Sequence, residues 1–134
     1  SLLRYVAVTD VGRSINPKQS NGQIHGGIVQ AVGQVLSENI AYDPETGQLL
    51  SGSFMDYGMP RGETMCRIET YDNPVPTNVN PLGVKGAGEI GAGCAVPAVM
   101  NAIADALSPL GIHHIDMPCT PERVWRTIHG VSRA

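Results

Sequence analysis

Lys18-Gln19-Ser20-Asn21-Gly22-Gln23-Ile24-His25-Gly26-Gly27-Ile28-Val29-Gln30-Ala31-Val32-Gly33-Gln34-Val35-Leu36-Ser37-Glu38 decides the fold class. Ile24, Ile28, Val32 and Val35 recur at i, i+4, i+8 and i+11, the spacing of one buried stripe on a helix. A second stripe, Gln23, Gly27, Gln30 and Gln34, is small or amide-bearing rather than charged. Paired glycines inside a helix cost ~1 kcal/mol each relative to Ala, so a close contact must compensate, either with another helix or with a ligand. Amide side chains both donate and accept, which suits the edge of a heterocycle.

Outward from this helix, Arg4-Tyr5-Val6-Ala7-Val8-Thr9-Asp10 reads as a strand, turned at Val11-Gly12-Arg13 and broken by Asn16-Pro17. Residues 39–58 read as short strands around the turn Asp43-Pro44-Glu45-Thr46-Gly47, and residues 66–72 alternate as a strand. A breaker zone runs from Asn73-Pro74 through Asn80-Pro81 to Gly83, and loops of that length are usually functional. A second helix is expected over residues 89–107, with Ile90, Cys94, Val96/Pro97, Met100, Ile103 and Leu107 as its apolar face. Pro97 requires a late start near Ala95 or a kink. A short strand at residues 112–116 and a helix opening at Thr120-Pro121-Glu122 complete an α+β chain of mixed strands and two main helices.

The 134 residues fit one domain. Only 4% are aromatic, so the core is aliphatic. Sixteen glycines and ten prolines imply long ordered loops or close approach of backbone to something else. A net charge of −3 without a basic block argues against nucleic acid or an anionic membrane as partner. Cys66, Cys94 and Cys119 are odd in number and widely spaced, pointing to a reducing, cytoplasmic compartment. No run long enough for a membrane span is expected. The missing start methionine suggests a piece of something larger.

The densest chemistry is Gly83-Val84-Lys85-Gly86-Ala87-Gly88-Glu89-Ile90-Gly91-Ala92-Gly93. Gly86, Gly88 and Gly91 formally match a dinucleotide fingerprint, but the buried strand that must precede it is absent. Glu89 sits instead at the point of a glycine-walled loop and at a helix N-terminus, with Lys85 four residues earlier. Such a carboxylate stays ionised and suits a general base; its bland alternative is a capping Glu between ordinary glycine turns. His113-His114-Ile115-Asp116 cannot chelate one ion from a strand, where neighbours face opposite sides, and no protein-ligated metal is expected. Asp56-Tyr57 reads as a pocket corner or a buried turn.

Four ordered segments together resemble the molybdenum hydroxylases, which include xanthine dehydrogenase, aldehyde oxidase and the large subunit of aerobic carbon monoxide dehydrogenase. The segments are Asp10-Val11-Gly12…Asn16-Pro17, Gly22-Gln23-Ile24-His25-Gly26-Gly27…Gln30…Gly33, Ser53…Asp56-Tyr57…Pro60 and Gly83-Val84-Lys85-Gly86-Ala87-Gly88-Glu89. The resemblance covers essentially the whole chain and places residues 1–134 in the C-terminal portion of the molybdopterin-binding large subunit. It implies an oxidoreductase that hydroxylates or oxidises aldehydes, N-heterocycles or a related small substrate with oxygen from water. By that resemblance Gln23 contacts the pterin, Lys85, Gly86, Ala87 and Gly88 line the cofactor pocket, and Glu89 is the catalytic base beside molybdenum. The metal is then held by the pterin rather than by side chains. Iron–sulfur clusters and FAD, on other domains or subunits, are the implied electron partners, with the remaining large-subunit lobes completing the pocket. After Glu89 this chain reads Ile90-Gly91-Ala92-Gly93 where xanthine dehydrogenases generally continue with Pro, and its His25-Gly26-Gly27 and Asp56-Tyr57-Gly58-Met59-Pro60 versions resemble more the carbon monoxide dehydrogenase-like and aldehyde oxidase-like bacterial large subunits. On this reading the isolated chain is inactive. The rival is a non-catalytic binding or assembly domain that retains the fold.

Overall fold

A computed structural model describes residues 1–130. It contains β1 (Arg4–Thr9), α1 (Pro17–Leu36), β2 (Arg67–Asp72), α2 (Ile90–Leu107) and α3 (Pro121–His129), joined by long irregular segments and two short 3₁₀ turns. The chain divides into two compact units, Ser1–Ala31 with Arg61–Ala95 and Val32–Pro60 with Val96–Ala134. The division falls inside α1 and α2.

In the first unit, β1 and β2 pair in parallel with Arg4 opposite Arg67 and Thr9 opposite Asp72. The connection between them carries the whole of α1, as a parallel crossover requires. One face of the sheet carries Val6, Val8 and Tyr71, all exposed. The other meets α1, where Thr70 donates to Asn21 at 3.4 Å. Asn16-Pro17 does more than end a strand: it starts α1. Asn16 Oδ1 accepts the Gln19 N–H at 3.1 Å and Pro17 takes the first helical position, where no N–H is needed. The predicted stripe is in place, with Ile24, Ile28, Val32 and Val35 all buried.

Gly27 belongs to this core rather than to a ligand face. A Cβ built on it would lie 2.8 Å from the Ala92 nitrogen, and one on Gly91 would run into the Ile24 carbonyl oxygen. The first turns of α2 therefore lie directly on α1, with no room for a methyl group between the backbones. This corrects the expected face of α2, of which Leu107 is buried as read. Its buried positions are Gly91, Ala95, Val99 and Leu107, whereas Cys94 and Pro97 are exposed. The sequence reading chose the larger side chains, but a crossing this close selects the smaller ones. The helix starts at Ile90 and contains Pro97 in its interior, so the late start is not observed. Against the expectation of no long apolar run, Ile90–Leu110 is by length and composition apolar enough to cross a membrane, at a mean hydropathy of 1.5 with 22% of the window buried.

In the second unit, Val35, Val99, Leu107, Ile115 and Cys119 are buried. The Cys119 thiol lies 3.6 Å from the Met100 sulfur, and burial pushes it above its ordinary pKa. The expected strands across 39–58 reduce to one isolated bridge, Tyr42 with Leu49. Between them the Asp43 carboxylate accepts from Glu45 and Thr46, so local side-chain bonds hold the turn without a ladder. Residues 112–116 form no strand. The α3 start is as read: Thr120 Oγ1 accepts the Arg123 N–H at 3.2 Å, with Pro121 following.

Candidate functional site

The site lies in the first unit and is built around the turn that leaves β1. Gly12 adopts φ +63°, and a Cβ there would strike the Gly83 carbonyl oxygen. Backbone therefore meets backbone: Arg13 N–H donates to Gly83 at 2.9 Å, Lys85 N–H donates to Val11 at 3.0 Å, and Gly12 and Val84 form an antiparallel bridge. Asn80 completes this by accepting the Val84 N–H at 3.2 Å and donating to its carbonyl at 3.0 Å, a side chain standing in for a strand neighbour.

Between this turn and the first two turns of α1 opens a cleft of about 380 Å³. Gln23, Lys85 and Ala87 line it, with Arg13, Asn16 and Gln19 on the remaining walls. Three of the residues singled out from sequence are thus brought together from two segments some sixty positions apart. Gly86, Gly88 and Glu89 are not in the cleft wall. They continue the same loop beyond it, and all three are exposed.

Glu89 immediately precedes α2, and its carbonyl accepts the Gly93 N–H at 3.0 Å, the bond of a helix N-cap residue. Its carboxylate takes no part in the ion pairs formed among the described residues. Lys85 does not serve it. The Lys85 ammonium donates to Asp10 Oδ2 at 2.5 Å, which corrects the expectation that Lys85 holds Glu89 ionised. The Lys85 hydrogen bond, assisted by the Val75 and Gly12 N–H groups, holds the Asp10 carboxyl at about 2.

Asp10, Arg13, Asn16 and Gln19 carry no chemical signal of the site in the sequence. Asp10-Val11-Gly12 and Asn16-Pro17 carried the available signals, an Asx turn and a helix cap, and both signals describe backbone rather than chemistry. His25 is largely covered, and its Nε2 is shielded from solvent without a hydrogen-bond partner. His113 and His114 are exposed, and His114 pairs with Asp116 at 3.0 Å. Among the described residues no three His, Cys, Asp or Glu side chains gather as a ligand set for a metal.

Residues 1–66 match the molybdopterin cofactor-binding domain family. The chain is 42% identical over 125 residues to the nicotine 6-hydroxylase large subunit of Paenarthrobacter nicotinovorans, covering 93% of this chain and 15% of that one. It superposes on quinoline 2-oxidoreductase from Pseudomonas putida 86 with a TM-score of 0.87 and 41% identity, over 92% of this chain and 16% of that one. The Cu,Mo-CO dehydrogenase matches with a TM-score of 0.89 and 36% identity, over 96% and 16%. The chain thus spans well under a fifth of the length of these relatives. Sequence, fold and the ordered glycine segments agree, and the chain belongs to the molybdenum hydroxylases, as a segment of their large subunit.

Proposed function

We propose that residues 1–134 are the C-terminal portion of a molybdopterin-binding region and form one wall of the active site of a molybdenum-dependent oxidoreductase. The observation that carries this reading is the single cleft that joins Gln23 of α1 to Lys85 and Ala87 of the glycine loop. When bound, the cofactor supplies oxidation or hydroxylation of an aldehyde, an N-heterocycle or a related small substrate with oxygen from water.

The residues present suit such a group. Gly86 and Gly88 have no positive φ, and a Cβ on either would meet nothing within 4 Å. Nothing within the chain demands glycine there. Bare backbone at Gly86 and Gly88 is what a flat, bulky ligand needs for close approach, and the N–H groups of 86–88 have no backbone partner among the described residues. Gln23, exposed at the cleft, offers an amide that donates and accepts at a heterocycle edge. Lys85 contributes its alkyl stem, since its ammonium is bonded to Asp10. Glu89 carries an exposed carboxylate beyond the loop, free to accept a proton as the general base.

The rest of the large subunit completes the pocket, and iron–sulfur and flavin domains or subunits take the electrons. Relatives named as a large subunit, a large chain and a complex subunit support an assembly of this kind. Three unpaired cysteines support a cytoplasmic location. The test is molybdenum and pterin content of the full-length polypeptide that carries this chain, with and without Gln23→Ala. The variant is expected to lose cofactor while turnover per remaining molybdenum holds. Full content with lower turnover per metal overturns the pterin-holding role.

A further inference from the structure

We propose that Asp10 is a positioning residue for the glycine loop, holding Lys85 so that residues 86–89 are presented at a fixed place while Asp10 itself touches neither cofactor nor substrate. This rests on the reading of the cleft given above. Three segments converge on one carboxylate. Oδ1 accepts the N–H groups of Gly12 at 2.8 Å and Val75 at 3.0 Å, and Oδ2 takes the Lys85 ammonium at 2.5 Å. The turn after β1, the loop after β2 and the start of the glycine loop are therefore tied at a single point. Beyond Lys85, among the described residues, the backbone makes no hydrogen bond to another segment until Glu89 opens α2. A short span held at its two ends takes its position from those ends, and Asp10 governs one of them.

The chemistry requires a carboxylate. Two oxygens with several lone pairs satisfy three donors, one of them a cation. Asparagine keeps one acceptor for the turn but aims an amide donor at the ammonium, so Asp10→Asn separates the two functions. The pair is about one-third exposed on each side, which leaves it accessible to substitution without a packing defect.

The experiment uses the full-length polypeptide as wild type, Asp10→Asn, Lys85→Met and the double variant. Amide hydrogen exchange of residues 83–89 is followed by mass spectrometry in cofactor-free and cofactor-loaded protein. Molybdenum content and the Mo(V) paramagnetic resonance line shape after partial dithionite reduction are measured alongside. Each single variant is expected to speed exchange of the hydrogen-bonded amides at 83–85 about fivefold in the cofactor-free protein. The double variant adds nothing further, and exchange in α3 is unchanged. Cofactor content falls and the line shape of the remaining metal alters, which a purely structural ion pair would not cause. Unchanged exchange in the cofactor-free variants overturns the tie itself. Faster exchange with full cofactor and an unaltered line shape overturns its role in presenting the loop. Neither result touches the cofactor reading, which stands or falls on Gln23→Ala and on molybdenum in the wild type.

Discussion

Two sets of glycines in the first unit have opposite causes. At the crossing of α1 and α2, Gly27 and Gly91 are buried, and a methyl group on either would collide with backbone. In the loop at 86–88, Gly86 and Gly88 are exposed, and a methyl group would meet open space. The first pair is explained from within the chain: it lets two helices touch. The second has no internal explanation, since neither residue needs a left-handed backbone. On the proposed reading, the second set leaves room for the cofactor to approach the backbone. Gly22 and Gly26 on α1 belong with the second set, with nothing within 4 Å and helical positions that would favour Ala by ~1 kcal/mol.

The contrast breaks most severely if the open loop has no chemistry at its end. Glu89→Gln in the full-length enzyme is expected to lower turnover ~10²–10⁴-fold at equal molybdenum content, since Gln keeps the shape but cannot take a proton. A mere helix-terminal carboxylate would instead cost ~0.3–1 kcal/mol of stability with normal turnover. Single-turnover reduction of the metal centre by substrate separates the two readings, and wild-type-like reduction returns Glu89 to a structural role.

At the crossing the expected loss is in stability. Gly91→Ala places a methyl group against the Ile24 carbonyl, which side-chain motion cannot relieve, and overpacking of that kind costs ~1–3 kcal/mol or more. Gly27→Ala, with its nearest backbone atom at 2.8 Å, follows by a smaller margin. Denaturant midpoints of the two variants measure this. Wild-type stability in Gly91→Ala would mean that the helices do not approach as described.

In the loop the sign reverses. Gly88→Ala is expected to stabilise the cofactor-free protein by ~0.4–1 kcal/mol, through a less flexible unfolded chain. Cofactor content falls in the same variant as the added methyl group occupies the approach. Paired melting and pterin measurements test the contrast directly: destabilisation without loss of pterin would place Gly88 in the first set.

Much of this was legible in the sequence. The α1 stripe needed only periodicity, and the α3 start only Thr120-Pro121. Asn16-Pro17 carries the same cap-and-proline signal, yet a strand before it invites reading it as a stop. The α2 face was misplaced because hydrophobicity ranks Cys94 and Met100 above Gly91 and Ala95, while backbone contact ranks them the other way. Residues 39–58 read as short strands around a turn, but a ladder needs a partner, and Asp43 satisfies the turn locally instead. In the site, Gln23 and the glycine loop stood out by composition and resemblance. That Lys85 answers to Asp10 and not to Glu89 was not legible, because a pair 75 positions apart forms only when the turn after β1 meets the glycine loop.

The smallest effect belongs to that pair, and pH reads it. Three hydrogen bonds hold the folded Asp10 carboxyl at about 2, against 3.8 for an unperturbed aspartate. A depressed carboxyl contributes stability that is present above the unfolded value and lost as pH falls through the folded one. The Asp10 contribution is therefore intact at neutral pH, fades below about 4 and is gone near 2. Its size is modest, since the group is accessible to solvent and its ammonium partner is screened. Exchange protection of the hydrogen-bonded amides at 83–85, corrected for the intrinsic pH dependence of the amide, is expected to drop across that window in wild type. In Asp10→Asn it stays low and flat. A wild-type profile that stays flat across that window would show an ordinary aspartate, and the tie between Asp10 and the glycine loop would then carry no weight in solution.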